Sequence, residues 1–163
     1  PVMRPRRSGR IINISSVAAF SGSPSLGAYA SSKSALESFS ESLYMELKPF
    51  NIDVVLVEPG SYRTRIFTDN ARYAKDFNNE DSPYFAMSCC VKGFVDEHVR
   101  QSTRDPEEVA KVVAGLVTAR RPRFRNIIGI QSKLRCWLVR HVPFEFYAHL
   151  VTSLLFKEKK PRA

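Results

Sequence analysis

Tyr29 and Lys33 stand four residues apart, and in a helix that spacing puts a phenol and an ammonium on one face. An ammonium beside a phenol favours the phenolate form, which turns a weak acid into a usable general acid or base. A hydroxyl from Ser16 can hold a carbonyl oxygen beside such a pair, and the three groups together then suit proton transfer to or from a substrate oxygen. Spacing alone is weak support. Six tyrosines and nine lysines produce about one accidental Y-x-x-x-K in every three chains of this composition.

The chain contains its own decoy. Ser31 precedes Tyr44 by thirteen residues, as Ser16 precedes Tyr29, and Lys48 follows Tyr44 by four. Ser31 and Tyr44 share one uninterrupted helical pattern, however, and a rise of 1.5 Å per residue separates them by roughly 20 Å. They cannot converge on one oxygen, and Tyr44 and Lys48 read as a solvated pair near a helix end. Ser16 instead follows a strand-like run and reaches Tyr29 across a loop containing Gly22, Pro24 and Gly27, so the chain can turn back on itself. Only Ser16, Tyr29 and Lys33 can meet.

The elements that must position them follow from pattern. Residues 10–15 form a β-branched apolar run, read as a buried strand, and the Ser/Gly/Pro-rich stretch 21–27 ends it as a loop. Residues 28–47 lack Gly and Pro, with Leu36, Phe39, Leu43 and Leu47 at helical spacing, which predicts a long amphipathic helix. Pro49 closes it, and residues 52–57 form a second strand that ends at Glu58-Pro59-Gly60. Strand, helix, strand with near-continuous apolar strands implies a parallel sheet covered on both faces and a right-handed crossover. The fold class is α/β.

Residues 61–104 are polar and mixed, too long for an ordinary connection, and are expected to form a substrate lid. Its Phe67, Phe77, Tyr84, Phe85 and Met87 suit an apolar ligand or core packing equally. Asp105-Pro106-Glu107-Glu108 supplies an N-cap, a proline at the first helical position and acids behind it, ahead of Val109, Val112, Val113, Leu116 and Val117. A helix to about residue 118 and a third strand over 126–130 are predicted. Residues 134–156 are rich in Leu, Val, Phe and Tyr but are interrupted by Arg135, Arg140, His141, Pro143, Glu145 and His149, so they fail the requirement of about 18 uninterrupted apolar residues for a spanning helix. A packed amphipathic tail is expected, with interfacial membrane contact as the alternative. The whole reads as a single partial domain: a catalytic βαβ unit over 1–60, the lid over 61–104, a helix and last strand over 105–132, and an amphipathic tail over 133–163.

Length and charge bound the function classes. A chain of 163 residues suits one domain. The net charge of +9 suits an anionic partner in principle. The cations gather at Arg4, Arg6, Arg7 and Arg10, at Lys157, Lys159, Lys160 and Arg162, and around Arg120, Arg121, Arg123 and Arg125, without the interleaved aromatics of a base-stacking surface. They read as solvated tails and loops, and no nucleic-acid partner is expected. Cys89, Cys90 and Cys136 form no disulfide or zinc pattern, which points to a reducing, cytoplasmic compartment. His98, His141 and His149 lack metal-ligand spacing, so no metal is assigned.

Taken in order, Asn13-Ile14-Ser15-Ser16, Tyr29-Ala30-Ser31-Ser32-Lys33 and Pro59-Gly60-Ser61-Tyr62-Arg63-Thr64 resemble successive motifs of the short-chain dehydrogenases/reductases. The resemblance runs from about residue 9 to 129. It implies the last three strands of a Rossmann-like, doubly wound parallel sheet with covering helices. It also implies an oxidoreductase that interconverts an alcohol and a ketone or aldehyde with NAD or NADP, the hydride belonging to the cofactor. By this resemblance Ser16 orients and polarises the carbonyl, Tyr29 donates or accepts its proton, and Lys33 binds the nicotinamide ribose while tuning Tyr29. Pro59, Gly60, Tyr62 and Thr64 would lie by the nicotinamide, with Tyr62 where the family more often has an aliphatic residue or phenylalanine. Pairing through the long helix into a homo-oligomer is a further implication.

No glycine-rich phosphate motif is present, and the family's upstream asparagine is missing too, so the chain is expected to begin mid-protein. The alternative reading is a truncated, non-catalytic chain acting as an interaction module. If a preceding segment normally pairs with residues 10–15, that strand becomes an exposed apolar edge, which predicts aggregation.

Overall fold

The computed structural model describes residues 2–64, 66, 70–102 and 104–156, apart from the side chain of His98. Phe67 of the lid and the terminal basic residues Lys157, Lys159, Lys160 and Arg162 lie outside the described residues.

Three strands, β1 (Gly9–Ile14), β2 (Ile52–Pro59) and β3 (Arg125–Ile128), form one parallel sheet in the order β1-β2-β3. Gly9 pairs with Ile52 and Ile14 with Val57, while Leu56 pairs with Arg125 and Pro59 with Ile128. All three strands therefore end at one edge, which is where open parallel sheets gather ligands. Val54, Val55, Leu56, Val57 and Glu58 of the central strand are each at most 1 % exposed, as a sheet covered on both faces requires.

Helix α2 (Gly27–Leu47) covers one face and helix α4 (Glu107–Thr118) the other. On the α4 side Val55, Val57, Tyr62, Leu116 and Ile128 form the core, with Ile12, Val109, Val112 and Val113 packed around it. On the α2 side, Asn13 Nδ2 of β1 donates to Ser40 Oγ at 2.8 Å, and Ser40 Oγ donates to the Leu36 carbonyl at 2.7 Å. A short helix, α1 (Met3–Arg6), precedes β1, and Met3 packs against Gly9.

Three differences from the sequence-based expectation are informative. The stretch 61–104 contains helix α3 (Phe85–Gln101) with Val91 and Val99 buried; it packs on the last helix, α6 (Phe144–Phe156), where Cys90 Sγ meets the Leu155 carbonyl at 3.0 Å. Its apolar positions are interleaved with Lys92, Gly93, Asp96 and Glu97, which conceals the helical period. The tail forms two helices, α5 (Ile130–His141) and α6 (Phe144–Phe156), separated at Val142-Pro143. Ile130 starts α5 instead of ending β3, because Gly129, at φ 92°, turns the chain there.

The cations also differ from solvated tails. Arg10 pairs with Asp53 at 2.6 Å and donates to the carbonyls of Leu116, Val117 and Ala119, so it caps the carboxyl end of α4. Arg7 donates to the Pro49 carbonyl at 2.8 Å, and Arg4 lies over Phe50. Asp105 Oδ1 accepts from the Glu107 N–H at 2.9 Å, so it meets the first turn of α4 as its sequence position suggested.

Candidate active site

Ser16 leaves β1 in extended conformation and caps a 3-10 turn, Val17–Phe20, its Oγ accepting from the Ala18 N–H at 3.1 Å. It is 9 % exposed. A hydroxyl that accepts from the backbone keeps its own proton for another oxygen.

The chain then reverses over residues 21–26. The sequence suggests that Gly22 and Gly27 permit the reversal, yet neither has positive φ and a Cβ on either would meet nothing. The left-handed residue is Ser25, at φ 60°. The loop is pinned from outside, with Ser21 Oγ 3.0 Å from the Tyr147 hydroxyl of α6 and 3.1 Å from Arg135 Nη2 of α5. A non-glycine residue thus adopts a sparsely populated region within a loop tied at Ser21 to α5 and α6.

Helix α2 opens at Gly27, so Tyr29 and Lys33 occupy its first two turns. Both are half-buried. Lys33 Nζ donates to the Ile14 carbonyl at 3.1 Å and lies 5.9 Å from the centre of the Tyr29 ring. Ser34 Oγ donates to the Ala19 carbonyl at 2.8 Å, which fastens α2 to the turn that Ser16 caps. The structure thus brings Lys33 to both the Tyr29 ring and the strand end that leads to Ser16. Ser31 and Tyr44 remain on one helix, and Tyr44 meets Lys48, at 3.4 Å, and the Phe124 ring.

At the carboxyl end of β2, Gly60 is closed against α5: a Cβ there would overlap Ser132 Oγ. Its glycine requirement is therefore met by contact within the chain. Pro59 is the last residue of β2, and Thr64 is half-buried. The Tyr62 side chain turns into the core, 4 % exposed, with its hydroxyl donating to Glu108 Oε2 at 3.0 Å and Arg104 over its ring. Burial first, and the Glu108 carboxylate second, push the Tyr62 phenol up to about 12. Arg104 in turn holds Glu108 below the usual carboxylate range, and its guanidinium fills the space a Cβ on Gly129 would need.

A buried ionic cluster that the sequence did not reveal lies beside this edge. Arg125 Nη1 donates to Glu58 Oε1 at 2.8 Å and to Glu37 Oε2, and Nη2 donates to Glu41 Oε1 at 2.5 Å. One guanidinium faces three carboxyl groups, and Glu37 Oε1 and Glu58 Oε2 are buried without a side-chain hydrogen-bond partner among the described residues. Desolvation, strengthened by Glu37 and opposed by Arg125, pushes the Glu58 carboxyl up to about 7. Burial, with Glu58 nearby, also raises the Cys136 thiol. A charged residue inside an apolar run was the available signal; partners so far apart in sequence were not readable.

Comparison with known proteins identifies the chain's relatives. The family model described as short chain dehydrogenase matches residues 1–74. An uncharacterized oxidoreductase of Bacillus subtilis, YusZ, is 35 % identical over 157 residues, covering 96 % of this chain and 56 % of the relative. A 3-ketodihydrosphingosine reductase of Bacteroides thetaiotaomicron is 34 % identical, covering 85 % of this chain and 52 % of the relative. Among solved structures, a short-chain dehydrogenase from Streptomyces avermitilis superposes with a TM-score of 0.67 at 30 % identity, covering 94 % of this chain and 53 % of the other. A Burkholderia phymatum short chain dehydrogenase/reductase in complex with NAD gives 0.70 at 25 % identity, over 90 % and 52 %. The chain spans about half the length of the curated relatives it matches. Its ordered motifs, its parallel sheet and these relatives make it a member of the short-chain dehydrogenase/reductase family.

Proposed function

We propose that the protein containing this chain is an NAD(P)-dependent oxidoreductase that interconverts an alcohol and a ketone or aldehyde. The observation that carries the reading is Lys33, which touches the end of β1 through the Ile14 carbonyl and neighbours the Tyr29 ring. In the reducing direction Ser16 donates a hydrogen bond to the carbonyl oxygen, and Tyr29 delivers a proton to that oxygen as it gains charge. Lys33 stabilises the phenolate left behind and presents its ammonium to a ribose hydroxyl. A nicotinamide cofactor, when bound, supplies or accepts the hydride. An ammonium, a phenol and the hydroxyls of Ser16 and Thr64 are a donor set suited to a ribose and a carboxamide, and Pro59 and Gly60 would border them. The NAD complex of the Burkholderia relative supports this cofactor class.

The substrate is proposed to be apolar. The likeness to the Bacteroides 3-ketodihydrosphingosine reductase supports this, as do the half-buried Phe77, Phe85 and Met87 of the lid region. Pairing of two copies through α2 is part of the reading, supported by exposed Phe39 and Met45. So is a cytoplasmic setting, which three free cysteines favour.

Replacing Tyr29 with Phe in the full protein tests the chemistry. Turnover of an apolar ketone should fall by about 10³-fold or more while calorimetry still detects cofactor binding. Retained turnover would overturn the assignment. The alternative, that these 163 residues alone form a non-catalytic interaction module, is favoured by the absence of a glycine-rich phosphate motif. Titration of this chain with NADPH and NADH separates the two, because clear binding refutes the module reading.

A further inference from the structure

Helix α5 exposes an apolar row that the redox chemistry does not use. Ile130 is 81 % exposed, Leu134 57 % and Trp137 54 %, and their spacing of four and three places them on one helix face. His141 continues the row, its ring stacked on Trp137 at 4.9 Å. The opposite face holds the buried Ser132 and Cys136, which anchor α5 to the body of the protein. Helix α6 exposes a second row, Phe146, Leu150 and Leu154.

Charge distinguishes this surface from an ordinary apolar patch. Lys133 and the exposed Arg140 flank the α5 row, and the Arg140 guanidinium also stacks on Phe20. No Asp or Glu occurs between Glu108 and Glu145, a stretch holding eight Lys and Arg residues. Two copies of such a face would bring like charges together, whereas an anionic surface complements it. With 12 residues, α5 is about 18 Å long, short of the roughly 30 Å hydrocarbon core. Among the described residues no helix is long and apolar enough to cross a membrane. An exposed apolar stripe with an indole and basic flanks suits a helix lying in the plane of the interface.

We propose that the Ile130–Leu134–Trp137 face of α5, flanked by Lys133 and Arg140, docks on an anionic lipid bilayer and holds the protein at the membrane surface. This does not rest on the redox assignment. A row of apolar side chains enters the headgroup boundary, while the two cations remain among lipid phosphates and carboxylates.

Trp137 is the single tryptophan of these 163 residues, so in this chain its fluorescence reports this face. The 163-residue chain, kept dilute and compared with a vesicle-free control, is mixed with phosphatidylcholine vesicles, with and without phosphatidylserine, and followed by Trp emission and co-sedimentation. Emission should shift to the blue and protein should sediment with the phosphatidylserine vesicles, less so at high salt. Lys133→Ala and Arg140→Ala should each weaken partitioning about fivefold, the weight of one basic side chain at an anionic surface. Leu134→Glu should remove most of it with the thermal melt unchanged. An unshifted emission overturns the proposal. So does emission already blue in dilute protein and indifferent to vesicles, which would mean another segment covers the face. A vesicle-independent shift that grows with concentration alongside a doubled mass overturns it too, assigning the face to a second copy.

Discussion

Lys33 Nζ donates to the main-chain oxygen of Ile14 at 3.1 Å, so the helix that carries the phenol is tied to the strand end that carries the serine. The ammonium thereby has a structural duty besides its proposed chemical one. Lys33→Met in the full protein should lower turnover by about 10²-fold or more and cost about 1 kcal/mol of stability. Steady-state rates and urea unfolding measure the two effects separately. Unchanged turnover would remove Lys33 from the machinery.

The Glu58 carboxyl predicts a pH dependence of stability. Glu37 from α2, Arg125 and the Asn126 backbone from β3, and Cys136 from α5 surround it, with Glu41 reaching it only through Arg125 and with Arg135 and Arg140 beside Cys136. Burial raises it from 4.5 to about 7, so between those values the folded state holds a proton that the unfolded chain releases. The stabilisation is complete below about pH 4.5 and is lost as pH rises through about 7, on the order of 3 kcal/mol in all. Glu58→Gln keeps an acceptor for Arg125 and should flatten the melting temperature over that range. An equally steep profile in the variant would place the titration elsewhere.

Ser40, fully buried, is the partner of the Asn13 amide. Ser40→Ala leaves that amide unsatisfied in the sheet–helix interface and should destabilise the protein by about 1–3 kcal/mol. Denaturant unfolding reads this directly.

Gly60 and Ser132 meet where β2 runs out. Gly60→Ala should raise the cofactor KM and lower the melting temperature, because the new methyl overlaps Ser132 Oγ. Adding Ser132→Ala removes that obstacle, so the double variant should recover much of both losses. Purely additive effects would show that the glycine is needed for another reason.

Among the described residues β1 pairs on one side only, and none of its residues is fully buried. The 163-residue chain by itself should therefore aggregate with rising concentration, as an unpaired apolar edge does. Ile14→Lys, at a position 43 % exposed, should suppress the light scattering of concentrated samples. A sharply melting monomer of the original chain would contradict this.

The three strands, the long helix and the capped α4 were legible because each is written locally, in apolar period, in breakers and in cap residues. The same local signals put Ser31 and Tyr44 on one continuous helix, too far apart along it to meet, while Ser16 follows a strand and reaches Tyr29 across a loop. Tertiary structure alone decided that Ser25 makes the reversal, that the Tyr62 side chain belongs to the core, and that Arg10 caps a helix. It alone gathered Arg125 with Glu37 and Glu58, partners 88 and 67 residues away. Periodicity reports which face of an element is apolar; it carries no information about which distant charge will meet that face, because desolvation and ion pairing arise only when the sheet closes.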